Sequence, residues 1–281
     1  MGFHREATET EISTYLRNSS IKHCLPASIT YQERKDFTSF AYKSDLSGMQ
    51  RLLEIGLDPN LDSEAVLAVI TNYNIEALNI LLKHDLDSNM RDQDGDTLLH
   101  RALQTRRGIP GIAFEKKLQV IQQLLQAGAN PNLPDKDGIT PFIYSLGHVD
   151  NNYAIAKMMI AKGASINKPD SRGDTPLHYQ VRRGTAEMTS YLIARGANVR
   201  AKNRSGQTPI YNALKSRNAK TTEILLRHGA EIKGLICRDY LACPFSPDEY
   251  LEDPAIPSQG PFRQGVPLRD LLLKIRPNEK Y

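Results

Sequence analysis

The chain has 281 residues, a formal net charge of +4 and three cysteines, with a mean hydropathy of −0.45. The charge is too small to argue nucleic-acid binding by itself, and no apolar run approaches the roughly 18 residues of a membrane span. Cys24, Cys237 and Cys243 are too few and too irregular for a disulfide frame or a zinc site, so a reducing, intracellular setting, cytoplasmic or nuclear, is the expectation.

Taken in chain order, Met1–Glu6 places an acid where a secretory leader needs an apolar core. Glu6 also occupies the position at which a myristoylation signal carries Ser or Thr. Thr8 to Leu16 reads as a short amphipathic helix opened by a Thr8/Glu11 capping box, with Ile12, Tyr15 and Leu16 on one face. Residues 1–33 are expected to form a helical cap. Beyond it, Leu53–Asn60 and Leu81–Leu86 are variants of one phrase, the second with Asp85 in the place of a glycine. In the same stretch Glu64 stands where a Thr is expected, and the loop after Gly56 is four residues short.

The phrase then becomes regular. Gly95-Asp96-Thr97-Leu98-Leu99-His100 is echoed by Gly138-Ile139-Thr140-Pro141-Phe142-Ile143, by Gly173-Asp174-Thr175-Pro176-Leu177-His178 and by Gly206-Gln207-Thr208-Pro209-Ile210-Tyr211. Apolar segments ending at Gly128, Gly163, Gly196 and Gly229 follow them in turn. Ten residues separate Gly128 from Gly138, Gly163 from Gly173 and Gly196 from Gly206, whereas the other half of each unit varies between 23 and 33. A hairpin held in register cannot change length without slipping, and a loop elsewhere can grow cheaply. The fixed step is therefore assigned to an inter-repeat hairpin and the extra residues around 105–116 to the connection between two helices.

Local chemistry agrees with that assignment. The four threonines suit helix N-caps, Pro141, Pro176 and Pro209 suit first helical positions, and the glycines past each apolar run suit left-handed helix ends. Asp92, Asp135, Asp170 and Asn203 each sit three residues before a glycine, as a tight turn needs. A period near 33 residues opened by T-P-L-H resembles the ankyrin-repeat family. The resemblance implies an all-α repeat solenoid of helix–turn–helix units joined by β-hairpins. Its expected units are 34–61, 62–94, 95–137, 138–172, 173–205 and 206–234.

Residues 235–281 are rich in proline and form a tail, with helix expected only around Val266–Ile275. Within it Leu268-Arg269-Asp270-Leu271-Leu272 resembles an L-x-x-L-L coregulator box, although packing on the last repeat is the plainer reading. Leu235-Ile236-Cys237-Arg238 and Val266-Pro267-Leu268 echo a ubiquitin-ligase box, with the wrong spacing and without its L-P-x-P.

Nothing in the chain assembles a catalytic constellation: it has no phosphate loop, no H-E-x-x-H and no nucleophile elbow. His100 and His178 occupy the fourth slot of the phrase, where the resemblance implies hydrogen bonding within and between repeats. No cofactor or metal is expected, and the class expected is a non-enzymatic interaction module or adaptor, with transcriptional coregulator as its most specific form. A ubiquitin-ligase substrate receptor, and an enzyme or nucleic-acid binder acting through the tail, are the alternatives.

The resemblance also implies that partners touch hairpin tips and the inner face of each first helix. Mapped by slot, this gives Arg101, Tyr144, Tyr179 and Asn212, then Arg182, Arg183 and Lys215 one turn on, and Arg172 and Arg204 at the tips. Together they suggest a mildly basic concave groove for an acidic or extended protein segment, centred on Tyr179, Arg182 and Arg183. None of those three is assigned to the core, so their joint replacement by Ala is expected to spare the fold. Gln180, in a slot that normally carries Ala, has no evident packing reason.

Overall fold

A computed structural model of the chain describes residues 30–104, 114–147, 153–183, 185–232, 250–251 and 266–275. Most of the expected cap over 1–33 and most of the tail lie outside these residues. The chain divides into two compact units, Met1–Met90 and Arg91–Tyr281.

In the first unit, α1 (Tyr31–Lys43) and α2 (Leu46–Glu54) pair, as do α3 (Ser63–Thr71) and α4 (Ile75–Lys83). Each start is fixed by a polar side chain accepting a free amide. Thr30 and Glu33 form a reciprocal capping box at α1, and Asp45, Asp62 and Asn74 accept from Gly48, Ala65 and Ala77. The helix that the sequence registers on Glu64 thus begins at the Asp62 cap. The shortened loop before it is a 3-10 turn, Pro59–Leu61, rather than a hairpin. Asp85, in the glycine slot, takes the left-handed conformation at φ 59°, which aspartate tolerates better than most residues.

The second unit repeats one motif four times: α5 (Leu98–Leu103) with α6 (Phe114–Gln126), α7 (Pro141–Gly147) with α8 (Tyr153–Ala161), α9 (Pro176–Arg183) with α10 (Ala186–Ala194), and α11 (Pro209–Lys215) with α12 (Ala219–Arg227). The first helices contact one another in sequence, α5 to α7 to α9 to α11, building one continuous row. The longer connections, 105–113 and 148–152, both join the two helices of a pair. Fully buried apolar side chains, among them Leu99, Ile121, Phe142, Ile155, Leu177, Leu192, Ile210 and Leu225, fill the space between pairs. In the tail a two-residue antiparallel pair, β1 (Tyr250–Leu251) with β2 (Val266–Pro267), leads into α13 (Leu268–Ile275). Helix α13 packs on α12, where Lys274 lies 3.9 Å from Glu223.

The ten-residue step is a loop closed by one backbone bond, from the N–H of Asp92, Asp135, Asp170 and Asn203 to the carbonyl four residues on at 2.8–3.0 Å, and by side chains; a single β-bridge, Arg91 to Thr97, is its only strand pairing among the described residues. Asp92 Oδ1 accepts the amides of Asp94 and Asp96, Asp135 those of Asp137 and Ile139, Asp170 those of Arg172 and Asp174, and Asn203 those of Ser205 and Gln207, all at 2.8–3.0 Å. One carboxylate or amide therefore accepts two amides in each loop, a duty that a short Asp or Asn side chain suits. Successive loops also bond directly, Ser171 N–H to the Asp137 carbonyl at 3.1 Å and Arg204 N–H to the Arg172 carbonyl at 2.9 Å. Gly138 must be glycine for that contact: its φ is +80°, and a Cβ would lie 2.5 Å from the Ser171 nitrogen.

Candidate functional site

Two side-chain networks hold the row of first helices. At Thr97 and Thr175 the backbone N–H donates to Nδ1 of His100 and His178, both at 3.1 Å. The histidine thus does the work that glutamate does in a capping box: the Thr97 side chain accepts from the His100 N–H in return, and both threonine hydroxyls also bond the rings. Since Nδ1 accepts, the proton sits on Nε2, which donates across to the next loop at the Ile139 and Gln207 carbonyls, 3.1 Å each. Burial pushes both imidazoles below their ordinary pKa, outweighing nearby aspartates. In α7 the slot holds Ile143, and Thr140 caps directly by accepting its N–H at 3.2 Å.

The second network is an asparagine ladder. Asn132 accepts from Ser165 N–H at 2.7 Å and donates to the Gly163 carbonyl at 2.8 Å. Asn167 repeats this with Asn198 and Gly196, and Arg200 donates to the Gly229 carbonyl at 2.9 Å. Within the first unit Asn60 does the same between Asp87 and Asp85. These residues escaped the sequence reading, although the signal was present: each lies four positions past a glycine that ends a helix.

On this scaffold the nine expected contact residues separate sharply. Arg101 is consumed internally. Its guanidinium contacts Asp92, bonds Asp94 at 2.7 Å and lies 3.4 Å from Asp96, and it also donates to Gln104. Burial works against its charge, yet the bonds to Asp92 and Asp94 prevail and hold its pKa above the ordinary value. Asn212 is buried and its amide faces the His178 carbonyl at 3.4 Å, so it offers no exposed contact. Tyr144 is half-buried, edge-on to His100 at 6.3 Å; burial, then Asp96, push its hydroxyl pKa up.

Tyr179 has a structural duty that the sequence did not suggest. Its hydroxyl donates to Asp170 at 2.7 Å and accepts from Arg172 at 3.2 Å. The Asp170 side chain is fully enclosed, so this bond helps to offset a buried carboxylate. Burial and that bond push the Tyr179 pKa up to about 12. Replacing Tyr179 by Ala would strip a donor from a buried acid, and the expectation that the Tyr179/Arg182/Arg183 variant spares the fold is corrected accordingly. Gln180 is likewise explained: it is buried and donates to the Thr185 carbonyl at 3.3 Å, tying α9 to the start of α10.

Arg172, with its side chain 66% exposed, and the exposed Arg182, Arg204 and Lys215 remain available to solvent. The last three have no acidic partner among the described residues. The Arg183 side chain lies outside the described residues. The resulting face, loops and first helices of 170–216, is cationic, whereas in the corresponding face of 92–101 the one arginine is held by three aspartates.

Asp96, His100 and Asp135 bring ligand atoms within 4.8 Å of one another. Both ring nitrogens of His100 are already hydrogen-bonded to Thr97 and Ile139, so this trio lacks a free imidazole for a metal. No helix among the described residues is long and apolar enough to cross a membrane.

A family description reading "Ankyrin repeats (3 copies)" matches residues 147–234, and "Ankyrin repeat" matches 94–136. Similar curated proteins include "SH3 and multiple ankyrin repeat domains protein 1" of Homo sapiens, Mus musculus and Rattus norvegicus. Each is 29% identical over 117 residues, which is 40% of this chain. The match spans only 5% of those relatives' length.

Proposed function

We propose, from the premise that this chain is an ankyrin-repeat protein, that its exposed cations bind an acidic, extended segment of another protein. Ankyrin repeats are protein-interaction modules that present stacked binding surfaces. The observation that carries the finer reading is the contrast between Arg101, bound by three aspartates, and Arg182, Arg204 and Lys215, which have no acidic partner among the described residues. Cations free of internal partners have no ion pair to break when a carboxylate arrives, which leaves the ordering of each side chain, about 0.5–1.5 kcal/mol, as the cost to be offset. Two of them are arginines, which grip carboxylates through paired N–H donors.

A coregulator role through the L-x-x-L-L segment draws less support. That segment lies on α13, which packs against α12, as a helix covering the end of a repeat array does.

Titrating the full chain with a synthetic acidic peptide tests the reading. Arg182→Ala, Arg204→Ala and Lys215→Ala together should weaken binding at least ten-fold, with an unchanged melting temperature. Equal affinity in the triple variant would remove these residues from the interface.

A further inference from the structure

The cations of this face are graded along the row of repeats. The first loop and helix expose Asp94, with Asp92 and Asp96 around Arg101. The second exposes Asp137 beside Lys136, whose ammonium donates to the Gln93 carbonyl of the first loop; the Asp137 slot is the one occupied by Asp94 in the first loop and by Arg172 in the third. The fourth, residues 202–216, carries Lys202, Arg204 and Lys215 and no carboxylate. The direct bonds from Ser171 to Asp137 and from Arg204 to Arg172 keep these slots adjacent and in order. Between the two ends lie the half-buried rings of Tyr144 and Tyr179, neither of which carries a formal charge at neutral pH.

We infer that the face recognises a two-signed segment, lying extended along the row with its acidic end over residues 202–216 and its basic end over Asp94 and Asp137. This rests on the interaction reading above and deepens it by fixing the order of charges in the partner. Charges more than about 8 Å apart are screened from one another at physiological salt. A bound segment therefore meets each end of the gradient separately rather than the net charge of the protein. A uniformly acidic segment pairs well at one end and repels at the other, and like-charge juxtaposition is how interfaces reject wrong partners. The two tyrosines suit the middle of such a segment, offering stiff rings at little entropic cost.

Three synthetic peptides of equal length separate the possibilities by fluorescence anisotropy on the full chain: one acidic throughout, one with an acidic and a basic block, and one basic throughout. The two-block peptide should bind at least ten-fold more tightly than the acidic one. Asp94→Lys with Asp137→Lys should reverse that order: both side chains are exposed, Asp94 gives up its ion pair with Arg101, and the loop bonds at Asp137 use its backbone. If the acidic peptide binds the unaltered protein as well as the two-block peptide, the gradient is not read and only the simpler acidic-segment reading stands. If neither binds, both readings fall. Unchanged melting of the double variant assigns any reversal to charge rather than to fold.

Discussion

Replacing His178 by Phe removes the imidazole's hydrogen bonds while keeping a ring of similar size in a fully buried slot. Two partners are affected differently. The Thr175 N–H has the imidazole as its acceptor at 3.1 Å, and leaving a buried donor unsatisfied costs about 1–3 kcal/mol. The Gln207 carbonyl still accepts from Asn203 N–H at 2.9 Å, so its loss is closer to the ordinary net value of about 1 kcal/mol. The sum is about 2–4 kcal/mol. Rotation of the Thr175 hydroxyl toward the helix amides, as Thr140 does for Ile143, would bring the cost toward the lower end. Urea unfolding should show a fall in midpoint of about 1–2 M for a slope of roughly 2 kcal/mol per molar. Repeat arrays can depart from two-state unfolding, so amide exchange at Thr175 supplies a second readout and should accelerate. A midpoint shift below about 0.3 M, with the Thr175 amide still protected, would refute the claim that the imidazole joins adjacent repeats.

Stability should also depend on pH through the same rings. Both histidines have lowered pKa values in the fold, so the unfolded chain binds more protons between those values and about 6.5. Their contribution is whole above pH 6.5 and is lost as the pH falls through that window; the His100→Phe/His178→Phe variant should lose less stability on acidification, read by thermal melts at several pH values. Gly138→Ala should cost at least about 2 kcal/mol, combining a positive φ with the collision at Ser171, against about 1 kcal/mol for Gly128→Ala, where φ is +91° but the space is open; equal costs by urea unfolding would contradict the loop contact. Tyr179→Phe should lose about 1–3 kcal/mol by the same assay, since it deletes the hydroxyl donor to the enclosed Asp170 carboxylate, and a neutral result would return Tyr179 to a purely surface role.

What the sequence made legible follows from periodicity. Gly128, Gly163, Gly196 and Gly229 all adopt positive φ, and the loop-locking residues Asp92, Asp135, Asp170 and Asn203 stand where turn chemistry placed them. Slot-by-slot mapping also placed Arg172, Arg182, Arg204 and Lys215 at positions that the structure leaves exposed. It could not find the fate of Arg101, because its partners at 92, 94 and 96 converge only once the loop folds back over the helix. Asn212 was misjudged for a related reason. A slot that is half-buried when filled by a long side chain is buried when filled by a short amide that reaches the neighbouring helix. The second duty of Thr97 and Thr175 was hidden because a threonine at a helix start can bond a neighbouring imidazole as well as the helix, and only geometry shows it.

The most direct test of the account maps where a bound segment touches. Adding the acidic peptide to isotopically labelled protein and recording amide chemical shifts should move signals from residues 170–182 and 202–216, while those of α8 and α10, Tyr153–Ala161 and Ala186–Ala194, stay in place. Shifts concentrated in α8 and α10, with the loops and first helices unmoved, would contradict it.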